Sequence, residues 1–213
     1  VSGPQAGLSG RPVGWDLYDN DVAVIDAGTF GVTYATGLMN ICMSLAVNPG
    51  SGAITVVGTD ATNEVRFEPV VNGKFLHVMF ASVNASTLAG SLTDLNPHLT
   101  YATSTIPQAE RDESVGDPRA IAWNAAGTVG YVAGMGSNNV AIVNAAGGRA
   151  ASDVVNVGQA PTGLAIDEAR SAVYVLNRFD ATISVINSGT RAVTATVPFF
   201  DPTPQAIKVG RKH

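Results

Sequence analysis

Apolar and polar residues alternate along residues 161–197 in a way that predicts short β-strands. Runs rich in Val, Ile, Tyr and Thr are separated there by clusters of Asn, Asp, Ser and Gly, and they begin at Gly163, Ala172, Thr182 and Ala192. β-branched and aromatic residues suit the pleated surface of a sheet, and the intervening clusters favour turns. The pattern therefore predicts a four-stranded antiparallel meander.

The same pattern recurs at a fixed interval. The segment that begins at Pro118 aligns without a gap with the segment that begins at Pro161, 43 positions later, and a second step of 43 reaches Pro204. Repeats of roughly 40 residues with four strands each are typical of β-propeller blades. The fold is therefore predicted to be all-β and built from four-stranded antiparallel blades.

The repeat predicts about three and a half blades in the 213 residues. Half a blade occupies residues 15–39, an expanded blade 40–115, and two complete blades 116–158 and 159–200. Residues 204–210 are predicted to be the inner strand of a further blade. In the expanded blade, residues 65–67 are assigned to the third strand, and a long insertion is placed at roughly 70–115.

This blade count is below that of a closed ring, since the smallest propellers have about four blades. The chain is therefore predicted to be part of a propeller. Its partner for closure is either the missing remainder of a longer chain, which we favour, or a second copy. A lone chain is not expected to work, because its open sheet edges and faces would promote association.

The alternation also predicts the core, because successive side chains of a strand point to opposite faces. We expect ten residues of the inner and middle strands to be buried: Leu45, Val47, Ile121, Trp123, Tyr131, Ile142, Leu164, Ile166, Tyr174 and Val185.

Two tetrapeptides at equivalent repeat positions point to a family. They read Tyr-Val-Ala-Gly from Tyr131 and Tyr-Val-Leu-Asn from Tyr174. With the flanking strands, they resemble the bacterial propeller repeat named for its Tyr-Val-Thr-Asn tetrapeptide, and the resemblance covers most of residues 15–210. It implies a ring that is commonly seven-bladed, and an exported protein that is periplasmic, extracellular or at the bacterial cell surface.

Residues 204–213 are similar to a junction in larger bacterial proteins, where such a propeller precedes a dihaem cytochrome c peroxidase-like module. This resemblance implies that the parent protein is a redox enzyme whose haem module lies outside the present chain. The Cys-x-x-Cys-His pattern for haem attachment does not occur in these 213 residues.

Composition narrows the choice of partner. The net charge is −5, and the 12 Lys and Arg residues form no basic cluster before the last three positions, which argues against nucleic-acid binding. No apolar run approaches the roughly 20 residues that a membrane span requires. The single cysteine, Cys42, lies in an apolar run and is predicted to be a small core residue without nearby cationic groups.

Three aspartates near the start of the repeat form a candidate metal site. Asp16, Asp19 and Asp21 supply the oxygen ligands that calcium prefers, although their spacing is not that of an EF-hand. The alternative is a polar hairpin turn, because residues 137–139 and 180–182 occupy the same repeat position. Calcium is the only cofactor that the sequence suggests.

The insertion is the best candidate for specificity, because loops on a rigid scaffold commonly carry function. It contains His77, predicted to be a packed or edge residue of a strand, and His98, predicted to lie exposed in a turn; the two do not make a metal site. The charged run 110–113 is interpreted as a solvated loop. Gly-x-Ser-x-Gly, His-Glu-x-x-His and phosphate-loop motifs are absent.

These observations lead to a binding scaffold as the main hypothesis, with an unidentified protein or small molecule as its ligand. The alternative is the propeller portion of a periplasmic or surface redox enzyme. A hydrolase or lactonase acting through a metal in the central channel would need converging carboxylates or histidines, and the inner strands supply almost none.

Overall fold

A computed structural model describes Gly10 and residues 19–61, 76–101, 103 and 105–211 of the chain. The strands of these residues form four sheets. The first contains β1 (Val22–Ile25) and β2 (Val32–Ala35), and the second contains β3 (Ile41–Val47), β4 (Ile54–Ala61), β5 (Leu76–Val83) and β6 (Gly90–Asp94). The third contains β7 (Pro118–Trp123), β8 (Val129–Gly134), β9 (Asn139–Asn144) and β10 (Val154–Asn156). The fourth contains β11 (Pro161–Asp167), β12 (Ala172–Asn177), β13 (Thr182–Asn187) and β14 (Val193–Pro198).

Helical structure is confined to short segments in the described residues: α1 (Gln108–Asp112), α2 (Gln205–Gly210) and a 3₁₀ turn (Glu168–Arg170). Each sheet pairs strands that follow one another in sequence, and every pairing is antiparallel. The predicted fold class, all-β with four-stranded antiparallel sheets, is confirmed.

The same turn closes the hairpin between the last two strands of each sheet. The strand before it ends close to Asp26, Asn84, Asn144 or Asn187, whose side-chain Oδ1 accepts hydrogen bonds from backbone N–H groups two to four residues later. Asn and Asp favour such turns because their side chains mimic the next backbone carbonyl. The turn residues thus set the length of the outer hairpins.

The core lies between neighbouring sheets, in three separate layers. The first and second sheets enclose Val22, Ala35, Leu38, Met39, Val56, Ala81 and Val83. The second and third enclose Val57, Val78, Phe80, Leu95, Val115, Ile121, Val132, Ala141 and Val143. The third and fourth enclose Tyr131, Val140, Ile142, Val155, Val173, Val175 and Ile186. Each four-stranded sheet therefore depends on its neighbour for burial of its apolar side chains.

Most of the predicted core positions are at least half-buried, but two are not. Leu45 and Val47 on β3 are 57% and 59% exposed, so their predicted burial is wrong. They lie on the same side of the second sheet as Val56, which is covered by β1 and β2. The first sheet has only these two described strands, and they cover β4, β5 and the start of β3 at Cys42, but not Leu45 and Val47. The side of β3 that carries Leu45 and Val47 is therefore uncovered.

The positions of the third and fourth strands in the second sheet correct the sequence-based assignment. Residues 65–67, expected to be the third strand, lie outside the described residues, and β5 (Leu76–Val83) pairs with β4 instead. The fourth strand, β6, also falls within the predicted insertion. The long connection of the described residues is thus 95–117, after β6.

The prediction of an inner strand at 204–210 is wrong, because Gln205–Gly210 form the helix α2. A strand needs a partner for its backbone N–H and C=O groups, whereas a helix satisfies them within the segment. Polar contacts hold α2 against the fourth sheet: Lys208 Nζ lies 3.1 Å from Asp201 Oδ2, and Arg211 donates to the Phe179 carbonyl at 3.3 Å. The Arg211 guanidinium also lies 5.6 Å from the centre of the Phe179 ring.

We expect Phe80→Ala to lower the free energy of unfolding by about 3–5 kcal/mol, because it leaves a cavity in the layer between the second and third sheets. Phe80 is fully buried there and contacts Trp123 edge to face, with ring centres 6.2 Å apart. Phe200→Ala is the matched control, because Phe200 is 87% exposed and its removal should change stability by less than about 0.5 kcal/mol. Urea unfolding followed by tryptophan fluorescence measures both, and equal losses would contradict this core.

Candidate functional site

A long connection emerges at one end of the second sheet, after β6. Consecutive antiparallel strands alternate in direction, so every second connection lies at the same end. That end carries residues 95–117, together with the shorter connections 135–138, 157–160 and 178–181 of the next two sheets. We call this end the loop face. It corresponds to the region that the sequence marked as a candidate for specificity.

A histidine, an aspartate and a tyrosine meet on the loop face. Asp94 Oδ2 lies 2.9 Å from His77 Nδ1 and accepts a hydrogen bond from the Tyr101 hydroxyl at 3.2 Å. Its Oδ1 accepts from the Asn96 N–H at 2.7 Å. The His77 and Tyr101 rings stack with centres 4.5 Å apart. Burial, with the nearby Asp94 charge, raises the pKa of the Tyr101 phenol, so its hydroxyl stays protonated as a donor.

His77 is held in one orientation by this contact. Its side chain is 15% exposed and that of Asp94 21%, which agrees with the expectation of a packed strand residue. Because a carboxylate accepts hydrogen bonds, this contact selects the tautomer that carries a proton on Nδ1. Nε2 is the ring nitrogen that the contact with Asp94 does not use. The arrangement is a positioned imidazole at the base of a loop.

The 95–117 connection is anchored at both ends by one side chain. Asn96 Nδ2 donates to the Val115 carbonyl at 2.8 Å, and Asn96 Oδ1 accepts from the Val115 N–H at 2.8 Å. Further along, the Glu110 carboxylate accepts from the Thr100 N–H at 2.6 Å and from its hydroxyl at 2.9 Å. His98 Nε2 donates to the Glu110 carbonyl at 3.0 Å. The loop is therefore cross-linked internally.

The predicted exposure of the turn around His98 is wrong. Asn96 is buried, His98 is half-buried, and the His98 Nδ1 atom is buried without a partner among the described residues. The reason is the pairing of Asn96 with Val115, which folds the connection back on itself. The charged run 110–113 lies partly in α1, where Arg111 and Asp112 are exposed.

Arg149 joins this connection to the third sheet. Its guanidinium donates to the carbonyls of Leu95 and Glu113 at 2.5 and 2.7 Å, and to Asn96 Oδ1 at 3.0 Å. Burial lowers the pKa of the guanidinium, and the charges of Asp153, Glu113 and Asp94 oppose that effect.

Sequence reasoning missed Arg149, because it is 54 positions from Leu95 and no local pattern marks it. The sequence also did not indicate a role for Tyr101. Its only sequence signal is that it is an aromatic residue shortly after His98.

The predicted calcium ligands are brought together only in part. Asp19 and Asp21 lie close to each other, whereas Asp16 lies outside the described residues. Partial burial raises the pKa of the Asp21 carboxyl, the Leu38 N–H at 2.7 Å lowers it, and the Asp19 charge raises it again. Within the described part of the chain, no three His, Cys, Asp or Glu side chains form a group that could hold a metal. The site stays a prediction that depends on Asp16.

Cys42 lies near the same carboxylates. Burial, followed by the negative charges of Asp21 and Asp19, raises the pKa of its thiol to about 11. The nucleophilic form of a cysteine is the thiolate, which this environment disfavours. This agrees with its interpretation as a small apolar residue.

Comparison with known proteins identifies the fold but not the family. No family model and no curated protein sequence matches this chain. Solved structures match at low sequence identity. The nidogen/laminin complex superposes with a TM-score of 0.56 at 12% identity, covering 85% of this chain and 56% of that one. Periplasmic gluconolactonase of Pseudomonas aeruginosa gives 0.52 at 12%, covering 86% and 50%. The fold is that of a β-propeller.

The propeller match is partial in length. Hydrazine synthase of Kuenenia stuttgartiensis gives a TM-score of 0.50 at 16% identity, covering 73% of this chain and 47% of that one. The chain thus spans about half the length of the propeller structures it matches. Neither α-helix of the described residues has the length and apolar character that crossing a bilayer requires.

Asn96→Ala should lower the free energy of unfolding by about 2–4 kcal/mol, because it leaves the Val115 N–H and carbonyl and part of the Arg149 guanidinium without their buried partner. Asn84→Ala is the matched control, since Asn84 binds two backbone N–H groups in an exposed turn, and its loss should stay under about 1 kcal/mol. Urea unfolding gives both values. Equal losses would show that Asn96 does not anchor the connection.

Calcium added to protein stripped with EDTA should raise the melting temperature, because a ligand bound only to the folded state stabilises it. Asp19→Ala should abolish the rise, and magnesium at the same concentration serves as the ion control. Differential scanning calorimetry measures the shift. An unchanged melting temperature in the unsubstituted protein would support the polar-turn interpretation instead.

Proposed function

We propose that this chain is part of a secreted or surface-associated bacterial β-propeller that acts as a binding scaffold through its loop face. The observation that carries the proposal is the long connection 95–117 at one end of the second sheet, which is cross-linked by Asn96, Glu110 and Arg149. A loop that is already ordered loses less conformational entropy on binding than a flexible one. The ligand is a protein or a small molecule.

Exposed charges on this ordered loop are suited to specific recognition. Arg111 and Asp112 project from α1, and Arg119 pairs with Asp117 where the connection enters β7. Charged groups at the rim of an interface mainly set the partner choice and the association rate. They support a partner whose surface carries complementary charges of both signs.

Location outside the cytoplasm is part of the same proposal. The resemblance to the Tyr-Val-Thr-Asn repeat supports it, and so does the structural likeness to a gluconolactonase described as periplasmic. Both are likenesses, and direct localisation of the protein in bacterial fractions tests them.

We further infer that additional blades cover the two open ends of the sheet stack. Leu45 and Val47 are exposed on the second sheet, and Leu176 and Val197 are 40% and 51% exposed on the fourth. Contiguous apolar faces of this kind are unusual on a soluble monomer. The matched parts of two propeller structures make up only 56% and 50% of those chains, which favours the remainder of a longer chain over a second copy.

The alternative function is the propeller portion of a redox enzyme with a dihaem, cytochrome c peroxidase-like module outside this chain. It is supported by the resemblance of residues 204–213 to such a junction. Reading the gene in both directions distinguishes the two functions: Cys-x-x-Cys-His motifs in the same reading frame favour the enzyme, and further blades alone favour the scaffold.

Arg111→Ala should weaken partner binding through the loop face, whereas Arg170→Ala, on the opposite face, should not. Both arginines are exposed, so neither change should affect folding. The immobilised parent protein and both variants are exposed to a bacterial envelope extract, and captured proteins are identified by mass spectrometry. We expect at least one protein to be captured by the parent and Arg170→Ala forms but depleted several-fold with Arg111→Ala. Identical captures by all three would contradict a loop-face partner.

The isolated 213-residue chain should self-associate, because exposed strands and apolar sheet faces promote pairing. Light scattering coupled to size exclusion, with intact-mass analysis, measures the state directly. A defined dimer would favour a second copy as the natural partner, and heterogeneous association would favour missing blades. A monodisperse, folded species with the mass of one chain would contradict the inference.

A further inference from the structure

Equivalent repeat positions differ between the two interfaces that the third sheet makes. Towards the second sheet, Trp123 on β7 donates from Nε1 to Thr55 Oγ1 at 2.9 Å and packs against Phe80. Towards the fourth sheet, the position of Trp123 is occupied by Ile166 and that of Thr55 by Tyr131. Isoleucine is smaller than tryptophan and has no N–H group, so it cannot make the equivalent contact.

A cavity lies where that contact is missing. It has a volume of about 340 Å³, and its walls include Val129, Ile166 and Ala126, with polar groups from Tyr131, Glu168 and Ser188. Cavities of about 300 Å³ and above are in the range that holds small ligands, especially when apolar walls surround a few polar groups. This cavity lies at the end of the sheets opposite the loop face, so it is separate from the proposed scaffold function.

Tyr131 supplies a polar group to the wall of the cavity. The residue is 4% exposed, packs in the layer between the third and fourth sheets and lines the cavity. A phenol hydroxyl can donate and accept a hydrogen bond. It can therefore bond to a polar atom of a molecule in the cavity.

The charge at the mouth of the cavity selects the ligand. Glu168 Oε1 accepts from the Ala125 N–H at 2.6 Å, which holds the carboxylate in place. Arg191, a cation that also lies at this end of the sheets, is paired with Asp153. A fixed carboxylate attracts a cationic group.

We propose that this inter-sheet cavity binds a small ligand with an apolar body and a primary ammonium group. The body packs against Val129 and Ile166, and the ammonium group donates to Glu168. The Tyr131 and Ser188 hydroxyls satisfy the remaining polar atoms of the ligand. The proposal does not depend on the scaffold function.

Phenethylammonium is the probe, because it joins an apolar ring to one ammonium group. 2-Phenylethanol serves as its neutral counterpart and phenylacetate as an anionic one. Isothermal titration at pH 7, supported by saturation-transfer NMR, should give phenethylammonium a dissociation constant on the order of a millimolar. The alcohol should bind about tenfold more weakly, and phenylacetate should not bind detectably.

Three variants test the assignment of the site. Glu168→Gln should reduce phenethylammonium binding to the level of the alcohol, and Ile166→Trp should abolish binding of both by filling the cavity. Tyr131→Phe should weaken binding several-fold, whereas Tyr174→Phe, the equivalent tyrosine of the fourth sheet, is the control and should leave it unchanged. Glu168 is exposed, so its variant stays informative even if Ile166→Trp fails to fold. Equal binding of the three probes, or unchanged binding in Glu168→Gln, would overturn the proposal.

Discussion

Burial of apolar side chains between neighbouring sheets is the interaction on which the whole structure depends. A four-stranded sheet cannot bury both of its faces alone, and here each one uses its neighbours: Phe80 is covered by the third sheet, and Val173 of the fourth sheet is covered by the third. Where the neighbour is incomplete, the same kind of residue is exposed, as Leu45 and Val47 show. Stability is therefore approximately a sum of sheet-to-sheet contacts, as in other repeat architectures. The open ends of the stack follow from the same rule.

Antiparallel winding then decides where function can be placed. Because strand direction alternates, the long connection before β7 emerges at the same end as the connections 135–138 and 178–181 of the next two sheets. The β6–β7 connection is ordered by buried polar contacts in addition to the apolar packing of its ends, with Asn96 binding Val115 and Arg149 binding Leu95 and Glu113. Such contacts are specific in direction, so they hold a loop in one shape over a scaffold of uniform sheets. The loop face thus combines a rigid base with exposed charges.

Interfaces in a repeat need not be identical, and one substitution at an equivalent position changes their chemistry. Trp123 closes the contact between the second and third sheets and pairs with Thr55. Ile166 stands at that position in the next interface, where a cavity lined by Tyr131 is found. The same backbone therefore supports a closed interface on one side of the third sheet and an open one on the other.

The sequence by itself determined the sheets and much of their core, because strand alternation and turn residues such as Asn144 and Asn187 are local signals. It did not determine the third strand of the second sheet, because residues 65–67 and Leu76–Val83 are both apolar enough to form a strand. In the structure, it is Leu76–Val83 that pairs with β4. Residues 204–210 match the repeat, yet they form a helix because no described strand is available to pair with them. For the candidate functional site, the sequence indicated the region, the insertion at roughly 70–115, but not the contacts that form it. The contacts of Arg149 with Leu95 and of Tyr101 with Asp94 join segments that only the tertiary structure brings together, because long-range hydrogen bonds leave no periodic trace in a sequence.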